Sequence, residues 1–200
     1  MLKKHNGHFV AAASVALLLF LRLGVETRSL DLVGLKGTVT TGTRPEATAV
    51  VWLEVPDPGQ HPLPTKVMHQ RNLTFTPHVL AIQTGTMVDF PNEDSVFHNV
   101  FSFKEGKPFD LGIYPVGATK HVTFKVPGVT RLFCNIHPGM SAYIVAVDSP
   151  YYSVVNEEGS FTIAGVPPGT YKYHAWKPGR DILTGSVNVQ QGSTLNVTWK

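Results

Sequence analysis

The residues best equipped for chemistry stand together in Phe133-Cys134-Asn135-Ile136-His137-Pro138-Gly139-Met140. A thiol, an imidazole and a thioether follow one another there at the spacing C-x2-H-x2-M. Soft sulfur beside imidazole suits copper, zinc or iron rather than magnesium or calcium. Pro138 and Gly139 suit the tight turn that three donors leaving one loop would need. A second imidazole must come from elsewhere, and His98 is the best candidate. It lies in Asp94-Ser95-Val96-Phe97-His98-Asn99-Val100, where a strand is expected to begin after a polar turn. His78, after Phe75-Thr76-Pro77, is a further candidate neighbour or ligand. His121 and His174 read as surface strand residues, and His61 and His69 as solvent-exposed.

Two imidazoles, one thiolate and a distant thioether make the trigonal set with a weak axial sulfur that characterises blue copper. Zinc is the competing metal; Met140 would then be packing. Such a set moves an electron with little rearrangement. No open coordination position and no general base stand out, so a carrier is expected rather than an enzyme. Copper binding or delivery without a redox role is the alternative, although Met-rich and His-rich tracts are missing. A structural module in which the metal only stabilises is a third reading.

Cys134 is the one cysteine among 200 residues, so no disulfide can form within the chain. A lone thiol matters more in an oxidising compartment, and the N-terminus suggests export. A short basic stretch is followed by an apolar run over residues 9–21, too short to span a bilayer comfortably. Residues 1–28 therefore read as a secretory signal, or as an N-terminal anchor if uncut, because no A-x-A site is present. The destination expected is the periplasm. The leader also explains the formal charge of +3: Lys3, Lys4, Arg22 and Arg28 against Glu26 account for all of it. The remainder is neutral, which removes the main support for a nucleic-acid partner. A membrane is a partner only if the leader stays, and redox proteins are the partners expected.

The elements that must position these donors read as strands. Composition is that of a globular protein, with 42% hydrophobic and 16% charged residues, and 18 Gly and 15 Pro punctuate it. After residue 30 no clean helical period survives. Segments 48–55, 79–83, 86–90, 100–103, 121–126, 142–147, 160–163, 170–176 and 193–199 are rich in β-branched and aromatic residues. Turn clusters separate them, among them Asp57-Pro58-Gly59, Pro127-Gly128 and Pro167-Pro168-Gly169. The fold class is all-β. Trp52, Trp176 and Trp199 lie outside the middle of the chain, whereas eight of the eleven Phe lie between Phe75 and Phe133. Two cores are expected: one unit from 33–55 with 152–200, interrupted by a second at 64–148. A simple tandem is the alternative.

The outer pieces resemble the carboxypeptidase regulatory-like, prealbumin-type β-sandwich. Gly37-Thr38-Val39, Ala49-Val50-Val51-Trp52-Leu53 and the run from Glu157 to Tyr171 carry that resemblance. It implies a structural or docking module. Residues 64–148 resemble a Greek-key cupredoxin, of the amicyanin or plastocyanin kind. The motifs are Phe75-Thr76-Pro77, Gln83 to Asn92, His98-Asn99-Val100, Pro127-Gly128 and Cys134 to Met140, in that order. The whole chain is similar to bacterial methylamine-utilisation-type proteins that join these two folds. The cupredoxin resemblance implies His98, Cys134, His137 and Met140 as copper ligands. It also implies Asn99 as a tie between the ligand-bearing segments. Asn135 and Pro138 would lie just outside the ligands, with Asn135 standing where relatives carry a hydroxyl residue.

Overall fold

The computed structural model describes residues 31–56, 59, 61–103 and 106–200. The leader at 1–28, and with it His5 and His8, lies outside the described residues, as do Asp57 and Pro58. The described residues form eighteen strands and no helix, so none is long and apolar enough to cross a membrane. The all-β expectation holds.

Strands from the two ends of the chain build one pair of sheets. Val33–Thr41 runs between Ser160–Val166, antiparallel, and Thr194–Trp199, parallel. Val50–Glu54 runs between Tyr152–Val154 and Gly169–Trp176, which in turn pairs with Leu183–Val189. Leu35, Val39, Val51, Leu53, Ile163, Val189 and Trp199 meet between these sheets in one core. Strands from residues 66–147 build the middle. A five-stranded sheet orders Phe109–Tyr114, His98–Ser102, Gly128–Phe133, Ser141–Val147 and Val79–Gln83. It faces Thr119–Thr123, Met87–Pro91 and Lys66–Val67 across a second core that contains Phe90, Phe124, Leu132, Ile144, Cys134 and Met140.

The period of two along a strand explains how these cores touch. In Ser141–Val147, Ile144 and Ala146 enter the middle core, while Val145 and Val147 point the other way. In Val50–Glu54, Val51 and Leu53 face the outer core, and Val50 faces out. The out-facing residues of both strands join Val79, Ala81 and Trp176 in a third cluster. Both strands are covered on both faces, and so read as near-continuous apolar runs.

Two elements differ from the sequence-based expectation. Thr48 adopts a positive φ of 63°, so its strand begins only at Val50. His174 is not a surface residue of the ordinary kind: its ring stacks on Trp52 at 4.9 Å and bonds to Glu54. The two rings sit opposite each other across the pairing of their strands, where aromatic cross-strand contacts are worth making.

Candidate metal centre

Register and period bring the donors together. Phe133 pairs with Phe101 across an antiparallel ladder. Continued by one residue, that register sets Cys134 opposite Val100, both facing the middle core. His98 lies two residues from Val100, hence on the same inward face, and is fully buried. Its strand begins at His98 itself. Beyond Phe133 the chain leaves the sheet and returns at Ser141. The Met140 amide donates to the His137 carbonyl at 2.9 Å. This closes a β-turn with Pro138 and Gly139 at its centre, folding His137 back over Cys134.

The three ligand atoms form a small triangle. Cys134 Sγ lies 3.9 Å from His98 Nδ1 and 3.8 Å from His137 Nδ1, and the two nitrogens are 3.1 Å apart. Among the described residues this is the only group of three or more His, Cys, Asp or Glu side chains placed to hold a metal. A cation about 2.0–2.1 Å from each nitrogen and about 2.3 Å from the sulfur spans these separations at angles of about 100°, 120° and 130°. Those angles total about 350°, nearer a flat trigonal arrangement than the roughly 330° of three tetrahedral angles. The residues present therefore fit a metal. Met140 is buried in the same cluster as Cys134.

The surrounding contacts differ between the two imidazoles. Asp94 Oδ2 sits 2.9 Å from His98 Nε2. His137, half-buried, makes its ring contacts only to His98 and Cys134 among the described residues. Asn99, buried, accepts the Asn135 amide at 3.4 Å and donates to Asp110 at 2.7 Å. The tie between the two segments thus runs to the backbone of Asn135. Its own side chain is on an exposed residue, and no hydroxyl is needed there. Pro138 is exposed on the turn.

His78 does not join the set. Its Nδ1 is bonded to the Ser141 carbonyl at 3.1 Å, and its ring meets the edge of Tyr143. It is a neighbour only in lining a shallow cleft with Met140 and Gly139. His121 is exposed, while His69 is engaged by Glu93 at 3.0 Å. The residues that sequence reasoning missed are Asp94 and Asp110. Asp94 was visible as an acid four positions before His98, but nothing in the pattern said that the turn would fold back onto the ring.

Comparison with known proteins gives partial matches. A family model described as polysaccharide lyase family 4, domain II matches residues 144–197. No curated protein matches the chain. Among solved structures, the chain is similar to a purple cupredoxin from Nitrosopumilus maritimus, at 24% identity over 41% of this chain and 99% of that one, with a TM-score of 0.38. A mutant of amicyanin in its Cu(I) form matches at 17% identity over 42% of this chain and 82% of that one, with a TM-score of 0.39. A copper-containing nitrite reductase from Thermus scotoductus matches at 28% identity, with a TM-score of 0.40; the match covers 48% of this chain and 25% of the reductase. This last match corrects the expectation of a non-enzyme: a copper enzyme stands among the similar structures.

Proposed function

We propose that the chain is an exported type 1 copper protein that passes single electrons between partner proteins. The observation that carries this reading is the near-flat triangle of one thiolate sulfur and two imidazole nitrogens. Copper bound there would supply a reversible one-electron couple. The chain's own part is to hold the donors still. His98 opens one strand and Cys134 directly follows the neighbouring one, and both are buried. His137 is held by a closed turn at the surface, with exposed Ile136, Pro138 and Gly139 around it. That apolar rim suits brief docking of a redox partner, and Met140 serves as the weak axial donor. In this reading residues 64–148 carry the chemistry, and 33–55 with 152–200 act as a structural or docking module. The basic, then apolar, N-terminus supports export to the periplasm.

Cu(II) added to the purified apo-protein is expected to produce an intense visible band from thiolate-to-copper charge transfer, and a reversible couple in voltammetry. A colourless Cu(II) complex, or preference for zinc with no visible band, overturns the proposal.

A further inference from the structure

We propose that Asp94 is the positioning residue for His98: its carboxylate holds the imidazole through Nε2–H, leaving the Nδ1 lone pair facing Cys134 and His137. The proposal rests on the metal-binding reading of the triangle, but names a residue and a device outside it.

The carboxylate is itself built into the fold. Its Oδ1 accepts the Asn72 amide at 3.1 Å, and its Oδ2 accepts the Leu73 amide at 2.8 Å. Asn72 and Leu73 both take positive φ, 54° and 56°, which turns their amides toward one point. The Asp94 amide in turn donates to Asn92 Oδ1 at 3.1 Å, and Asn92 Nδ2 donates to the Val96 carbonyl at 2.8 Å. Both ends of the 92–96 loop are therefore fastened. Both oxygens of the Asp94 carboxyl are thus taken up as acceptors of backbone N–H groups, and Oδ2 also faces His98 Nε2. An ionised carboxylate only accepts hydrogen bonds, so the proton on a neutral His98 ring must be on Nε2. A metal needs the other nitrogen bare, and Nδ1 is the one in the triangle. A ligating imidazole whose second nitrogen is pinned by a carboxylate is fixed in tautomer and orientation and made a stronger donor. Among the described residues His137 has no such anchor, so the rigidity of the pair is concentrated on the buried ring.

The test begins with the metal-free protein at about pH 8. Nitrogen-15 NMR of the His98 ring is expected to show the Nε2–H form in the parent. In Asp94→Asn that form persists, because an amide oxygen at the Oδ2 place still accepts from the ring and from Leu73. In Asp94→Ala it gives way to a mixture. An Nδ1–H parent, or a ring unchanged in Asp94→Ala, overturns the proposal whether or not copper binds. The second readout is Cu(II) affinity by chelator competition: Asp94→Ala is expected to lose about 10- to 100-fold. Asp94→Asn, which keeps the turn bonded at Leu73, loses less and shifts the potential upward, since a negative charge that favours Cu(II) is gone. Equal affinity and potential in all three proteins overturns the proposal even if Asp94→Ala is poorly folded, because Asp94→Asn carries the comparison. A parent that binds Cu(II) without colour defeats the electron-carrier reading instead, and leaves the tautomer result to decide this one.

Discussion

The two cores of the molecule handle polarity in opposite ways. The middle core buries Gln70, Thr86, Asn92, His98, Asn99, Ser102 and Thr130, whereas the described outer strands bury apolar side chains almost alone. Every buried polar group needs a partner or costs stability. Gln70 bonds to the Phe90 and Pro91 carbonyls, Ser102 Oγ has no partner among the described residues, and near the site the partners form two sets. Asn92, Asp94 and His98 make one, and Asn99, Asp110 and the Asn135 amide the other. Both end at the donor triangle. The outer core spends nothing comparable and is a plain packing solution. The lesson is that a site is marked as much by the polar cost its surroundings carry as by the donors themselves.

Substitutions in each region separate chemistry from scaffold. Cys134→Ser is expected to have the largest effect: the visible band of the copper-loaded protein disappears, as absorbance will show, while the fold remains. Leu53→Ala, fully buried in the outer core, is expected to cost about 2–5 kcal/mol in denaturant unfolding. Its visible spectrum should be that of the parent; a changed spectrum would mean that the two regions are coupled. Asn99→Ala leaves the Asn135 amide and Asp110 without their shared partner, and is expected to cost about 1–3 kcal/mol and also to move the visible band. Met140→Leu keeps the colour and raises the reduction potential, read by voltammetry, because the axial donor is lost.

The smallest expected effect is a pH dependence confined to the outer region. Glu46 is lowered from its ordinary value: burial opposes this, but its bonds to Lys177 and Thr41 and the charge of Arg180 outweigh it. A carboxyl with a depressed folded value stabilises at neutral pH, and that contribution is lost as pH falls through the folded value. Glu46→Gln should therefore flatten the acid dependence of unfolding below about pH 4.3 by less than about 1 kcal/mol. The visible band should not respond to this change.

Much of the site was legible because it is local. The C-x2-H-x2-M loop sits between two strands, and His98 opens the strand beside it, as residue types alone suggested. What was illegible is what tertiary contact decides. Val33–Thr41 and Leu183–Val189 carry glycines that weaken a strand pattern, yet the glycines serve the packing. A Cβ on Gly37 would lie 1.9 Å from the Leu195 carbonyl, and one on Gly185 would meet the Tyr173 ring at 2.6 Å. His174 looked like a surface residue because only the partner strand reveals Trp52 beneath it. Asp94 is the same case at the site: its role depends on a turn more than twenty residues away.

The parallel pairing of Val33–Thr41 with Thr194–Trp199 also sets an order in time. Thr38 meets Asn196 across a separation of 158 positions. During synthesis Val33–Thr41 emerges well before Thr194–Trp199, and every strand of the middle region emerges between them. Closing so long a loop is slow and entropically costly for an open chain. If the middle region folds first, it draws the two flanks together and shortens the effective loop. The region that holds the donors would then act as a brace on which the older, waiting strand is finally zipped shut.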